Sequence, residues 1–362
     1  MDRVLIGEGR GKKMQLDNRK KEVLHAIVDD FVSTNEPVGS KSLIERHNFQ
    51  VSSATLRNDM AELEHMGLIE KPHTSAGRIP SDKGYREYVN SLMTIEELTP
   101  QEQREIEHRI GSSVDEVTDL IKNATHTLSE QTGFVSLAMS PRLKKSFLKQ
   151  LKILMIEPGK ALVVMVLSAG VVKDKVVRIP NFLNDEQVMK ISGAIEKNLT
   201  GKPLDEITLV TVETAGKGTE VPEPLLKQVL YEAYAAIKQA DELNIYLDGE
   251  HRILELPDFS SLGRARDLLG TLSDSGMVAG YVNEMENARI QGGNDSFMIR
   301  IGQEITLEGL EDCSFITATY NVTDSVSGNI GIIGPKRMLY SKVISQIDFV
   351  KKKLNSEMKK FT

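Results

Sequence analysis

Residues 51–80 read VSSATLRNDMAELEHMGLIEKPHTSAGRIP, and the fold turns on how this stretch is parsed. Ser52 ahead of an apolar spacing of three and four predicts a helix capped by Ser52 and ended by Gly67. At about 100° per residue, Leu56, Met60 and Leu63 share a narrow arc. Ala54, Asn58 and Ala61 point the other way, with Thr55 and Arg57 on the flanks. Leu68 to Lys71 is strand-like. Pro72 to Gly77 is a turn, for which Ser75 and Gly77 suit tight backbone, and Arg78-Ile79 returns. A helix with a small polar outer face running into a short hairpin with a basic edge has the sequence form of a winged helix-turn-helix.

The residues upstream complete that motif. Asp17 is placed to cap a helix over Arg19 to Thr34, where Val23, Leu24, Ile27, Val28, Phe31 and Val32 recur at helical spacing. Asn35-Glu36-Pro37 stops it, because a residue before proline avoids the α region. Ser40 reads as the N-cap of a short helix to His47, and Asn48 to Val51 as the turn. Downstream, Ser81 reads as the cap of a helix whose core stripe is Tyr85, Tyr88, Val89 and Leu92.

Such a motif reads DNA, which supplies a role for each polar residue. On the second helix, where Ser53 is a further candidate contact, small outer residues such as Ala54 allow close approach and Thr55 suits a thymine methyl or a phosphate. Arg57 suits guanine and Asn58 adenine, each bidentate pair giving roughly 1–3 kcal/mol of discrimination. Ser40 and Lys41 open the first helix, while Lys71, His73 and Arg78 line the hairpin beside phosphates, which set affinity rather than sequence. A plain amphipathic surface helix would share the same wheel; the hairpin tips the reading toward DNA.

The stretch LRNDMAELEHMGLIEKPHTSAGRIPSDKGYREYV resembles the N-terminal domain of the HrcA family, the bacterial heat-inducible transcription repressors. Cys313-Ser314-Phe315-Ile316 and the run from Ser327 through Gly328, Gly331 and Gly334 to Met338 resemble the same family further along. The likeness runs from about Gln15 to about Leu354. It implies an α+β chain: an N-terminal winged helix-turn-helix, a GAF-like α/β domain with an antiparallel sheet, and an inserted helical or mixed dimerisation domain. It also implies a homodimer on an inverted-repeat operator of the CIRCE type, repressing chaperone operons, with activity maintained by the GroE chaperonin. The expected bounds are 14–98 for the head, 99–190 with 290–362 for the GAF-like part, and 191–289 for the insertion.

Composition sets limits on other classes. A chain of 362 residues exceeds one ordinary domain. The formal net charge of −7 does not advertise nucleic acid, so the basic character has to be local, and an acidic body lets only one face approach DNA. One cysteine, Cys313, excludes an intrachain disulfide and a cysteine-based zinc site and suits the cytoplasm. The longest apolar run, Ala161 to Leu167, falls far short of the roughly 20 residues of a membrane helix. Met1 to Lys13 matches nothing in the family. Met14 is the expected natural start, the alternative being a disordered arm.

Thr99-Pro100-Gln101-Glu102 is a helix start, and a second helix is expected near Ser113. Strands follow at Phe134–Met139, Leu148–Ile156, Ala161–Leu167 and Val171–Ile179, the last three separated by turn signals and expected to form an antiparallel meander. Further strands are expected at Phe297–Ile301, Ser314–Tyr320 and Asn329–Ile333, and a closing helix over Tyr340–Leu354. A helical block lies between the two strand sets.

No GxSxG turn, P-loop or HExxH pattern is present, so no enzyme, metal or cofactor is expected. Gly292-Gly293-Asn294-Asp295 reads as a loop before a strand, and Gly328 to Gly334 as a buried strand rather than a phosphate loop. Two alternatives stand beside the repressor: a metabolite-responsive regulator with a ligand in the GAF-like domain, and an interaction module whose winged helix binds protein.

Overall fold

The structure, a computed structural model, describes residues 16–73, 76–111, 116–292 and 296–361. The N-terminal extension, Ser75 of the expected turn, Ser113 and the Gly293-Asn294-Asp295 loop lie outside the described residues.

Local caps set the head. Helix α1 (Asn18–Thr34) starts at Asp17, whose carboxylate accepts from the Lys20 amide at 2.8 Å, and ends at Asn35 in the left-handed region. In α2 (Ser40–His47) the cap is Gly39, one residue earlier than the sequence suggested. The Ser42 hydroxyl accepts from the Gly39 amide at 3.1 Å, and Ser40 is turned inward. Helix α3 (Ser53–His65) is capped by Ser52, which accepts from the Thr55 amide at 3.2 Å. The wing is β1 (Ile69–Glu70) paired antiparallel with β2 (Ile79–Pro80). Helix α4 (Asp82–Glu87), capped by Ser81, widens into a π-helical turn over Tyr88–Leu92. Leu24, Ile27, Leu43, Leu56, Leu63 and Leu68 are each 0% exposed and close the head's core.

Beyond the head, α5 (Pro100–Gly111) starts where Thr99 and Glu102 cap each other, and α6 (Val117–Thr132) leads into β3 (Val135–Met139). The chain then leaves to build β4 (Leu148–Glu157), β5 (Lys160–Leu167) and β6 (Val172–Arg178), with α7 (Asp185–Leu199), α8 (Leu209–Ala215) and α9 (Glu223–Gln239). It returns as β7 (Ile245–Asp248). Next come α10 (Leu262–Ser273), α11 (Ser275–Gly292), β8 (Phe297–Ile301), β9 (Cys313–Asn321), β10 (Ser327–Pro335) and α12 (Tyr340–Met358).

Two sheets result, a five-stranded one in the order β7-β3-β10-β9-β8 and a three-stranded one, β4-β5-β6. Alternation along the larger sheet sends Ala138, Ile316 and Ile332 into the core shared with α6 and α12. Leu137, Phe315 and Ile333 go into a second core under α10 and α11. This is the expected α+β arrangement of a winged helix-turn-helix followed by GAF-like layers. The expected meander forms, but as a separate sheet rather than within the GAF-like part. The chain leaves the larger sheet at Met139 and rejoins it at Ile245, so the topological insertion lies earlier than 191–289. The helices after it cap the larger sheet. Strand alternation encodes which face is buried but not which strand lies alongside, and only long-range pairing decides the latter.

The glycine run is strand, as expected. Gly331 sits in β10 opposite Thr317, and a β-carbon there would lie 2.2 Å from the Ile316 carbonyl oxygen. Gly331→Ala therefore overpacks the centre of the sheet. The expected loss is about 1–3 kcal/mol, read as a fall in the urea midpoint; an unchanged midpoint would show that the strands can part there without cost.

Candidate nucleic-acid interface

The wheel of α3 holds in three dimensions. Leu56, Met60 and Leu63 face the core at 0%, 4% and 0% exposure, while Ala54, Arg57, Asn58 and Ala61 are exposed. Asp59 lies on the inner arc with the leucines and is 3% exposed. A buried carboxylate requires a partner, and Arg19 of α1 supplies one with Nε and Nη2 at 2.7 and 2.9 Å from its two oxygens. That fork fixes α3 against α1 and raises the Arg19 pKa through the hydrogen bond to Asp59. Nothing in the sequence pattern names Arg19, but the wheel does flag Asp59: a charge between Leu56 and Leu63 needs a counterion.

The ten expected contact residues separate into two groups. Lys41, Arg57, Asn58, Lys71 and His73 are exposed and their side chains make no hydrogen bond or ion pair with other described residues, and Ala54 is exposed as well. Thr55 is half-buried, and its hydroxyl lies 3.0 Å from that of Ser52. Lys83 of α4 is also exposed, and its side chain has no partner among the described residues. The side chains of Lys41, Arg57, Asn58, Lys71, His73 and Lys83 keep hydrogen-bonding capacity for an outside partner.

Ser40, Ser53 and Arg78 are engaged internally. The Ser40 and Ser53 hydroxyls lie 2.9 Å apart and tie the start of α2 to the start of α3. Arg78 donates from Nε and Nη2 to one oxygen of Glu64, at 3.0 and 2.7 Å, and its side chain is only 14% exposed. Its backbone exchanges two 2.8 Å hydrogen bonds with Val38. A β-carbon on Gly77 would stand 2.5 Å from the Val38 carbonyl oxygen, so glycine is what lets the wing approach so closely. Arg78, expected on phosphate, is placed to hold the wing on the last turn of α3. Its partner is fourteen residues away in sequence and becomes a neighbour only when the hairpin folds back.

The head also docks on the body through charges. Arg86 of α4 pairs with Glu304 and donates to the Ile299 carbonyl at 2.7 Å. Asp82 accepts from Lys336 and from the Gln303 amide, both at 2.9 Å. Arg337 reaches the Val32 carbonyl at 2.9 Å and pairs with Asp258. Tyr85 sits among these groups with its ring centroid 6.0 Å from that of Tyr340, and burial pushes its phenol well above the ordinary value. As for a ligand within the GAF-like sheet, the face under α10 and α11 is packed with Leu137, Val282, Met285 and Phe315, and Tyr281 meets Phe315 edge-on at 5.3 Å.

Comparison with known proteins agrees with this geometry. Residues 118–344 match the model of the HrcA protein C-terminal domain, and residues 41–82 match the DeoR-like helix-turn-helix domain. A heat-inducible transcription repressor HrcA from Ruminiclostridium cellulolyticum is 39% identical over 96% of this chain and 99% of its own. Repressors of the same name from Acetivibrio thermocellus and Clostridium perfringens are 37% and 34% identical. They match over 96% and 95% of this chain and 97% and 99% of their own. A solved structure described as a hypothetical protein at 2.2 Å resolution shares the fold, with a TM-score of 0.62 at 22% identity, covering 96% of this chain and all of that one.

If Arg78 and Glu64 act as one clamp, Arg78→Ala and Glu64→Ala lower the thermal midpoint by similar amounts, and the double variant is no worse than either. Additive losses would show that each residue acts through other contacts.

Proposed function

The chain belongs to the HrcA family of heat-inducible transcription repressors, and on that premise we propose that it represses heat-shock genes through the outward ridge of α3 and the wing beside it. The observation that carries this reading is that the Arg57 and Asn58 side chains stand exposed, without a partner among the described residues, while the apolar residues of the same helix pack inward. Their donors and acceptors remain for base edges; Lys41, Lys71 and His73 remain for phosphates, and Thr55 for a phosphate or a thymine methyl. Ser40, Ser53 and Arg78 then act one step back, holding the elements that carry the contacts. Family members are repressors rather than enzymes, so the head's work is occupancy of a promoter region.

The operator proposed is an inverted repeat of the CIRCE type, read by a homodimer. The physical support is the outer face of the three-stranded sheet. Leu154, Leu162 and Val176 align across the strands, as do Val166 and Val172, and Leu154, Val172 and Val176 are 50%, 57% and 56% exposed. An aliphatic row of this kind favours pairing with a second copy, and a two-fold pair presents two reading helices to like half-sites. The GroE chaperonin is the further partner proposed, since an unpaired chain leaves that face open. The site of action proposed is the cytoplasm.

Gel shifts at fixed salt test the reading. Arg57→Ala is expected to weaken binding to the inverted repeat by about tenfold or more while leaving random-sequence binding nearly unchanged; equal losses on both would make Arg57 a phosphate contact. Leu154→Arg with Val176→Arg is expected to give a folded monomer by sedimentation that binds the operator weakly. A dimer that survives both changes would move the interface elsewhere.

A further inference from the structure

The junction between head and body frames an open cleft that the proposed DNA reading does not use. A cavity of about 390 Å³ lies where the end of α1, the turn from α6 into β3 and the start of α12 meet. Val32, Phe134, Leu256 and Leu339 give it apolar walls, and Arg337 and Lys342 are its charged residues. No aspartate or glutamate lines it among the described residues. The carboxylates that pair with these cations, Asp258 and Glu102, stand outside the lining.

Both cations keep hydrogen-bonding capacity in reserve. Arg337 uses Nε and Nη2 on Asp258 and one Nη1 proton on the Val32 carbonyl, so two of its five N–H groups remain. Lys342 meets Glu102 at 2.8 Å with one of its three. A polar end with unused donors on two cations, set against hydrocarbon walls, suits a molecule that is anionic at one end and apolar along its length.

We propose that this cavity binds a small monocarboxylate with a medium-length alkyl or arylalkyl tail. Its carboxylate takes the remaining protons of Arg337 and Lys342, and its tail packs on Phe134, Leu256 and Leu339. Because Val32 belongs to the head and Arg337 already holds the Val32 carbonyl, the occupant touches both sides of the junction. Binding therefore stabilises the docked head, and the ligand becomes an effector of head orientation. A ligand that binds only the folded chain raises the unfolding temperature with its concentration.

Calorimetric titration and thermal unfolding of the full chain test this, with octanoate and 4-phenylbutanoate as probes and octan-1-ol and octylamine as controls. Saturable carboxylate binding is expected, with a rising midpoint, at least tenfold weaker binding of the alcohol and none of the amine. Leu339→Trp fills the space from a position that is 55% exposed, so the chain should fold and lose the response. Lys342→Met, which removes one cation without adding bulk, is expected to weaken carboxylate binding several-fold and leave alcohol binding unchanged. Absence of saturable carboxylate binding, equal affinity for the alcohol, or an undiminished response in folded Leu339→Trp would each overturn the proposal. Should Leu339→Trp fail to fold, Lys342→Met decides by the same comparison.

Discussion

The arrangement of the head rests on the seating of α3 against α1. Three apolar side chains, Leu56, Met60 and Leu63, hold the helix down, and one buried carboxylate, Asp59, fixes its rotation through the Arg19 fork. Hydrophobic burial is non-directional, and a helix seated by leucines alone could turn about its axis by a fraction of a residue. A bidentate ion pair has a fixed geometry and removes that freedom. Because Asp59 is fixed, Asn58 and Arg57 must look outward. Orientation of the outward residues therefore follows from a group that is itself buried.

A similar division of labour recurs in the wing and at the junction. Arg78 is committed to Glu64 and the Val38 backbone, which sets where the hairpin lies, while the side chains of Lys71 and His73 have no partner among the described residues. Arg86, Asp82 and Arg337 are committed to Glu304, Lys336 and the Val32 carbonyl, which sets where the head lies on the body. Each of these pairs joins residues that are half-exposed or less and is correspondingly directional. The partners at the junction lie more than two hundred residues apart in sequence, so the head's position depends on the completed body.

Much of this was legible from local chemistry. The caps Asp17, Ser52 and Ser81, the stop at Asn35 and the outward face of α3 all follow from residues within a turn of one another. The cap of α2 falls at Gly39 rather than at the expected Ser40, because Ser40 is drawn inward to Ser53. The pairing of Arg78 with Glu64 is not legible in the sequence, where the two lie fourteen residues apart. The meander forms over the three expected strands, and it stands as its own sheet because β3 pairs with β7 and β10 rather than with β4. What could not be read locally was each time a partner supplied by folding.

The most direct measurement places a photo-crosslinking side chain at position 58 of the full chain and irradiates it with an inverted-repeat duplex. The same group at Phe182, an exposed loop residue of the body, serves as control. If α3 is seated as described, position 58 crosslinks to bases within each half-site and position 182 does not. Crosslinks from 182 with none from 58 would contradict the account at its root.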